Sequence, residues 1–164
     1  VISLIGKTLV LLIAPINTIV ISYLTKRREL LNRSQFGKAV LAGGGVAGVF
    51  FLGCQVGTPL FVWLFYHDLF PSIKGLVTVV NLAQVLGLFS AFLFILVLTF
   101  MDEKWQLLIQ LAHFVILLTA SVLAAKNYGM IGFAWACLGA NTLRVVAVIA
   151  LGIWKAKPAK KEGE

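Results

Sequence analysis

"QLLIQLAHFVILLTASVLAAKNYGMIGFAWACLGANTLRVVAVIALGIW", residues Gln106 to Trp154, decides what kind of protein this is. Two apolar runs, about Gln106 to Ala125 and about Met130 to Trp154, are separated by little more than Lys126-Asn127-Tyr128-Gly129, and neither contains an acid. Each is near the roughly 20 residues that carry a helix across a bilayer. Neither alternates apolar with polar residues, and both are far longer than the roughly 10-residue strands of a membrane barrel, so a strand reading fails.

The same character extends through the chain. Three further apolar runs cover about Val1 to Leu24, Ala39 to Tyr66 and Leu76 to Phe100. The 164 residues are 60% hydrophobic and 12% charged, with a mean hydropathy of +1.00. A soluble domain has about 45–50% apolar and about 25% charged residues, so this is an integral membrane protein. The expected fold is all-α: a polytopic transmembrane helix bundle of about five spans over residues 1–154, with a disordered basic tail over 155–164. The first run lacks the basic n-region and small-residue cleavage site of a secretory signal, and it is too long for one. It also starts at Val1, directly inside a hydrophobic segment, so the expectation is a piece of a longer chain.

Basic residues in the loops orient the spans. The first loop, the third loop and the tail together hold ten lysines and arginines, whereas the other side has Lys74 and Lys126. That places the C-terminus in the cytoplasm and explains the net charge of +8 as topology and attraction to the phospholipid bilayer. With the basic residues confined to loops beside the membrane, nucleic acid is a poor partner. The Asn32-Arg33-Ser34 sequon falls on the cytoplasmic side and is discarded as a glycan site.

The second run, "AVLAGGGVAGVFFLGCQVGTPLFVW" from Ala39 to Trp63, pairs Gly44 with Gly48 and Gly53 with Gly57. That spacing permits close helix approach in lipid, and Pro59 adds an expected kink. Cys54 and Cys137 lie within apolar runs and read as packing residues. Two cysteines and two histidines at no ligand spacing leave no metal site, and nothing calls for a cofactor.

Polar residues within the spans carry the functional signal, because ionisable groups there are costly and usually face a partner or a cavity. Arg144 stands eleven residues before Lys155, roughly 16 Å along a helix at about 1.5 Å per residue, near the middle of a roughly 30 Å hydrocarbon slab. Asn141, three residues earlier, shares its face. Lys7 lies near the opposite interface, where a lysine can snorkel, although Ser3, Ala14 and Asn17 share its stripe. Thr78, Asn81 and Gln84 form one further stripe, and Gln106, Gln110 and His113 another. Each serves either interhelical hydrogen bonding or a water-filled lumen.

All six acids, Glu29, Asp68, Asp102, Glu103, Glu162 and Glu164, fall in loops or the tail. A proton or sodium relay normally uses an intramembrane carboxylate, and neither a two-carboxylate site nor a Ser/His/Asp arrangement is present. The chain therefore reads as a non-enzyme. Its interior charge is cationic, which suits an anionic ligand, and arginine's planar fork suits phosphate.

Several stretches resemble the polysaccharide-biosynthesis flippases, the O-antigen (Wzx-type) transporters of the multidrug/oligosaccharidyl-lipid/polysaccharide exporter superfamily. They are "LFYHDLFPSIKGLVTVVNLAQVLGLFSAFLF" from Leu64, "IAPINTIVISYLTK" from Ile13, and above all "KNYGMIGFAWA" from Lys126. The last is similar to that family's Tyr-Gly-x-x-Gly-Ala-Ala turn, with Phe133 and Trp135 where small residues are usual. The resemblance implies a two-lobed parent in the bacterial inner membrane, with this chain as the last five helices of the C-terminal lobe and an N-terminal lobe missing. It implies alternating access and transport of a lipid-linked anionic oligosaccharide whose pyrophosphate is held by basic lumen residues. That role is carried to Arg144 first and Lys7 second; with the polar span residues Asn141, Asn81 and Gln84 they make up the candidate substrate-binding residues. A related multidrug or ion-coupled exporter and a non-transporting membrane subunit of a glycan-assembly complex remain alternatives.

The topology is testable in a Cys54→Ala/Cys137→Ala background. A membrane-impermeant maleimide added to right-side-out membranes should label Lys126→Cys and leave Lys160→Cys unlabelled. The reverse pattern would invert the orientation.

Overall fold

A computed structural model describes residues 33–97 and 102–156; they are almost entirely helical, and no strand occurs among them. Helix α1 covers Arg33–Phe65, a short 3-10 turn covers His67–Leu69, α2 covers Phe70–Val97, and α3 covers Glu103–Lys155. All three α-helices have stretches long and apolar enough to cross a membrane. The apolar segment 1–24, with its candidate Lys7, and the tail beyond residue 156 lie outside the described residues.

At about 1.5 Å per residue, a straight α3 of 53 residues would reach about 80 Å, well over twice the hydrocarbon thickness. It does not run straight. Gly129 takes φ 62° and ψ −145°, a backbone region that essentially only glycine occupies. The chain reverses there into two antiparallel arms, 103–128 and 130–155. Ser121 meets Cys137, His113 meets Asn141 and Trp105 meets Trp154, each pair centred near residue 129. Gly132 completes the corner, since a Cβ at that position would collide with the Ala124 carbonyl oxygen and the Tyr128 Cβ.

Tyr128-Gly129-Met130-Ile131-Gly132 is thus a corner made by two glycines with different tasks: one adopts the backbone angle, the other admits the returning chain. The expected break falls where the motif placed it, but the connection is a single residue, with Lys126 to Tyr128 still helical.

α1 runs antiparallel to α2. The pairing is set by Gly43 against Phe92, Gly44 against Phe89, and Gln55 against Thr78. The close approach centres on Gly43, where a Cβ would stand 2.5 Å from the Phe92 ring. The expected contact glycines behave differently: Gly44 makes only an ordinary contact, and nothing among the described residues lies within 4 Å of a Cβ at Gly48, Gly53 or Gly57. Spacing alone marks a narrow helix face; the aromatic rings of α2 select which glycine uses it.

α2 runs alongside the second arm of α3, with Ala83 level with Asn141 and Phe94 reaching Arg144. At one end, Leu93, Val97 and Val148 are buried around Phe36, whose ring lies against Gly152. The helices also overrun their apolar segments. α1 begins at Arg33 rather than Ala39, and α2 begins at Phe70 rather than Leu76. Bilayer thickness limits the apolar run but not a helix that bonds its own backbone, and Pro71 in the first turn of α2 forfeits no intrahelical bond.

Gly129→Ala should cost about 1–3 kcal/mol, whereas Gly139→Ala, with open space at its Cβ, should be neutral or slightly stabilising. Unfolding of the purified protein by SDS titration measures both. Equal stability of the two variants would remove the corner from among the determinants of the fold.

Candidate functional site

Two polar clusters contact α2, one made with α1 and the other with the hairpin of α3. In the first, Asn81 is buried and accepts a hydrogen bond from the buried Thr58 hydroxyl at 3.1 Å. Its amide donates to the Cys54 carbonyl at 3.0 Å and to Gln55 Oε1 at 3.2 Å. Gln55 in turn donates to Thr78 Oγ1 at 3.0 Å. This network surrounds the turn that ends at Pro59. Proline brings no N–H, so the turn lacks the backbone bond that the Gln55 carbonyl would receive. Asn81 braces α1 at that weakened turn. Gln84, three residues on, is half-buried and takes no part in the cluster.

In the second cluster, Asn141 Nδ2 donates to the Ala83 carbonyl of α2 at 2.9 Å. That fixes the amide's orientation, because only the nitrogen can donate to a carbonyl. Asn141 Oδ1 therefore faces His113 Nε2 at 3.2 Å, and the imidazole donates from Nε2. One turn further, Arg144 Nη2 donates to Gln110 Oε1 at 3.0 Å, and the guanidinium carbon lies 4.8 Å from the centre of the Phe94 ring. Cation–π contact at that range is attractive, more so away from water. The same side chain's Nε is buried and has no hydrogen-bond partner among the described residues.

The structure thus brings Asn141 and Arg144 together with two members of the expected stripe, Gln110 and His113, and places Asn81 in a separate cluster against α1. Lys7 lies outside the described residues. Three participants were missed in the sequence. Gln55 and Thr58 share a face directly before Pro59, a legible but unused signal. Phe94 stands in the aromatic-rich run "LFSAFLF", and nothing local distinguishes it from Phe89 or Phe92.

The two clusters differ in chemistry. Around Asn81 nearly every donor and acceptor is engaged within the protein, which is a structural role. Around Arg144 there is a full positive charge and, among the described residues, a single hydrogen-bond acceptor and an aromatic face, with no acid in either arm beyond Glu103 at the first residue of α3. A separate crease of about 390 Å³ between the arms near the corner is lined mainly by apolar groups such as Phe114, Leu118, Val122 and Phe133, with Ser121 and Cys137, and holds no charged side chain. Arg144 with Gln110 is the candidate binding site. No protein-family model, curated protein or solved structure matches the chain.

Asn81→Ala removes the bonds to Thr58, Cys54 and Gln55 together. Interhelical hydrogen bonds in membranes average about 0.6 kcal/mol and reach about 1.7, so the variant should lose about 1–3 kcal/mol. Gln84→Ala should stay within about 0.5 kcal/mol. Thermal loss of helicity by circular dichroism compares them, and equal melting would deny Asn81 its bracing role.

Proposed function

We propose that the chain is part of a membrane transporter for an anionic, phosphate-bearing amphiphile, and specifically of a flippase that moves lipid-(pyro)phosphate-linked oligosaccharide across the bacterial inner membrane for polysaccharide or O-antigen synthesis. The observation that carries this reading is Arg144. It is a permanent cation in mid-helix and half-buried; among the described residues it has no carboxylate partner, one hydrogen bond to a neutral acceptor, and a buried Nε that nothing engages. An unpaired buried charge is destabilising, and it is retained where a ligand supplies the counter-charge. The guanidinium's planar set of donors suits a phosphate or pyrophosphate oxygen pair.

The remaining elements fit such a role. Five spans with a cytoplasmic C-terminus would form most of one lobe, and the partner lobe would close the cavity around the substrate. The brace at Pro59 and the corner at Gly129 keep the helices rigid enough to move as a unit in alternating access. The chemistry is carriage, with no catalytic residues, no cofactor and no metal. A second reading, a non-transporting subunit of a glycan-assembly complex, draws support from the polar side chains at Asn81 and Asn141, whose bonds go to neighbouring helices. A drug or ion-coupled exporter is the weaker alternative, for want of an acid within the spans.

In the intact transporter reconstituted into vesicles, Arg144→Gln should slow translocation of lipid-linked oligosaccharide tenfold or more. One charge-assisted hydrogen bond contributes about 1.5–3 kcal/mol, and about 1.4 kcal/mol is a factor of ten. Membrane insertion should be unchanged, and Arg144→Lys should retain intermediate activity. Wild-type transport by Arg144→Gln would return Arg144 to a structural role and favour the assembly-subunit reading.

A further inference from the structure

The bundle's two ends differ in charge. Phe36 lies against Gly152, so the start of α1, the start of α3 and the end of α3 gather at one end. Arg33, Lys38, Lys104 and Lys155 come to that end, against Asp102 and Glu103. At the opposite end, around Gly129 and the 67–75 connection, the only lysines among the described residues are Lys74 and Lys126.

Within the basic end, Lys155 is held rather than free. Its Nζ lies 4.8 Å from the centre of the Trp154 ring and 5.7 Å from that of Trp105. The two indoles meet edge to face, with centroids 6.5 Å apart and planes at 87°. Trp105 packs against the apolar cluster, whereas Trp154 is 67% exposed. Each ring draws the ammonium by cation–π attraction. A lysine over two ring faces has given up part of its side-chain freedom, and an N–H not turned to a ring can donate to an oxygen anion. Lys104 precedes Trp105 in the chain and lies at the same end of the bundle. Residues before Trp154 are apolar, and the chain leaves the helix at Ala156. The pair therefore sits at the depth where hydrocarbon gives way to headgroups, the usual level of tryptophan belts.

We infer that Lys155, clasped by Trp105 and Trp154, is a binding site for the phosphate of an anionic phospholipid. The indoles supply the apolar wall for the top of the acyl chains and Lys155 the counter-charge for the headgroup. This site is separate from Arg144 and stands whether or not the chain transports a lipid-linked sugar. A bulk attraction of basic residues to an anionic surface would act through all of them alike. Here the attraction is concentrated on a lysine fixed by two aromatic faces.

The test uses the full chain with Trp63→Phe and Trp135→Phe, leaving Trp105 and Trp154 as reporters. It is reconstituted in phosphatidylcholine containing equal mole fractions of either brominated phosphatidylglycerol or brominated phosphatidylcholine. Bromine quenches indole emission on contact, so the ratio of quenching reads relative occupancy. The brominated anionic lipid should be favoured about fivefold, the factor expected from one lysine near a membrane surface. Lys155→Gln should abolish the preference, Lys155→Arg should keep it, and Lys126→Gln at the opposite end should leave it unchanged. An unchanged emission maximum in pure phosphatidylcholine shows that each variant is folded. Equal quenching by the two lipids, or a preference that survives Lys155→Gln, would overturn the assignment. Loss of the preference on adding inorganic phosphate, but not chloride of equal ionic strength, would show a soluble-anion site instead of a lipid site.

Discussion

Asn81 on α2 and Asn141 on the second arm of α3 stitch the helices together under one constraint: polar groups in hydrocarbon have no water to fall back on. Between helices whose apolar side chains are no more averse to lipid than to each other, hydrophobic burial supplies little net attraction. Much of the outer surface, including Leu41, Val49, Leu108 and Leu123, is accordingly apolar and exposed. What specifies the arrangement is close contact at glycine and a small number of directed bonds. Asn81 reaches the backbone of α1 at Cys54, and Asn141 reaches the backbone of α2 at Ala83. Each bond ties a side chain to a neighbour's main chain at a single level, so sliding any helix by one turn would strand an amide.

The corner at Gly129 adds a constraint from the backbone side. A one-residue reversal at this end of the bundle demands a backbone angle that a Cβ resists and a neighbour, Gly132, that lets the two arms touch. The corner also sets the register of the hairpin. That register carries His113 to Asn141, Gln110 to Arg144, and Trp105 to Trp154 and Lys155.

Arg144 stands apart from this economy of matched partners. The neighbouring polar groups are mostly committed to one another, whereas its charge is met by a neutral amide and a phenyl face. The Lys155 site is different again, because a lysine at the interface can be solvated and its aromatic clasp determines position. The protein thus uses cations in two ways, one held deep beside α2 and one presented where headgroups lie.

Composition, run length and the absence of acids from the apolar segments determined the all-helical, membrane-embedded character of the chain. They did so because the cost of unpaired backbone and buried charge in hydrocarbon leaves few alternatives. The Tyr-Gly-x-x-Gly stretch was legible as a turn for a similar reason, since few residues other than glycine tolerate such a corner. Arg144 and Asn141 were legible as neighbours from helical spacing alone. Only the tertiary structure decided that Gly43, among many glycines, meets the Phe92 ring, that Asn81 braces the turn before Pro59 while Gln84 does not, and that Phe94 lies under Arg144. Those outcomes depend on the register between helices distant in sequence. Register is set by matching the bonds and shapes of two faces at once, and no single helix carries the information about the face it will meet.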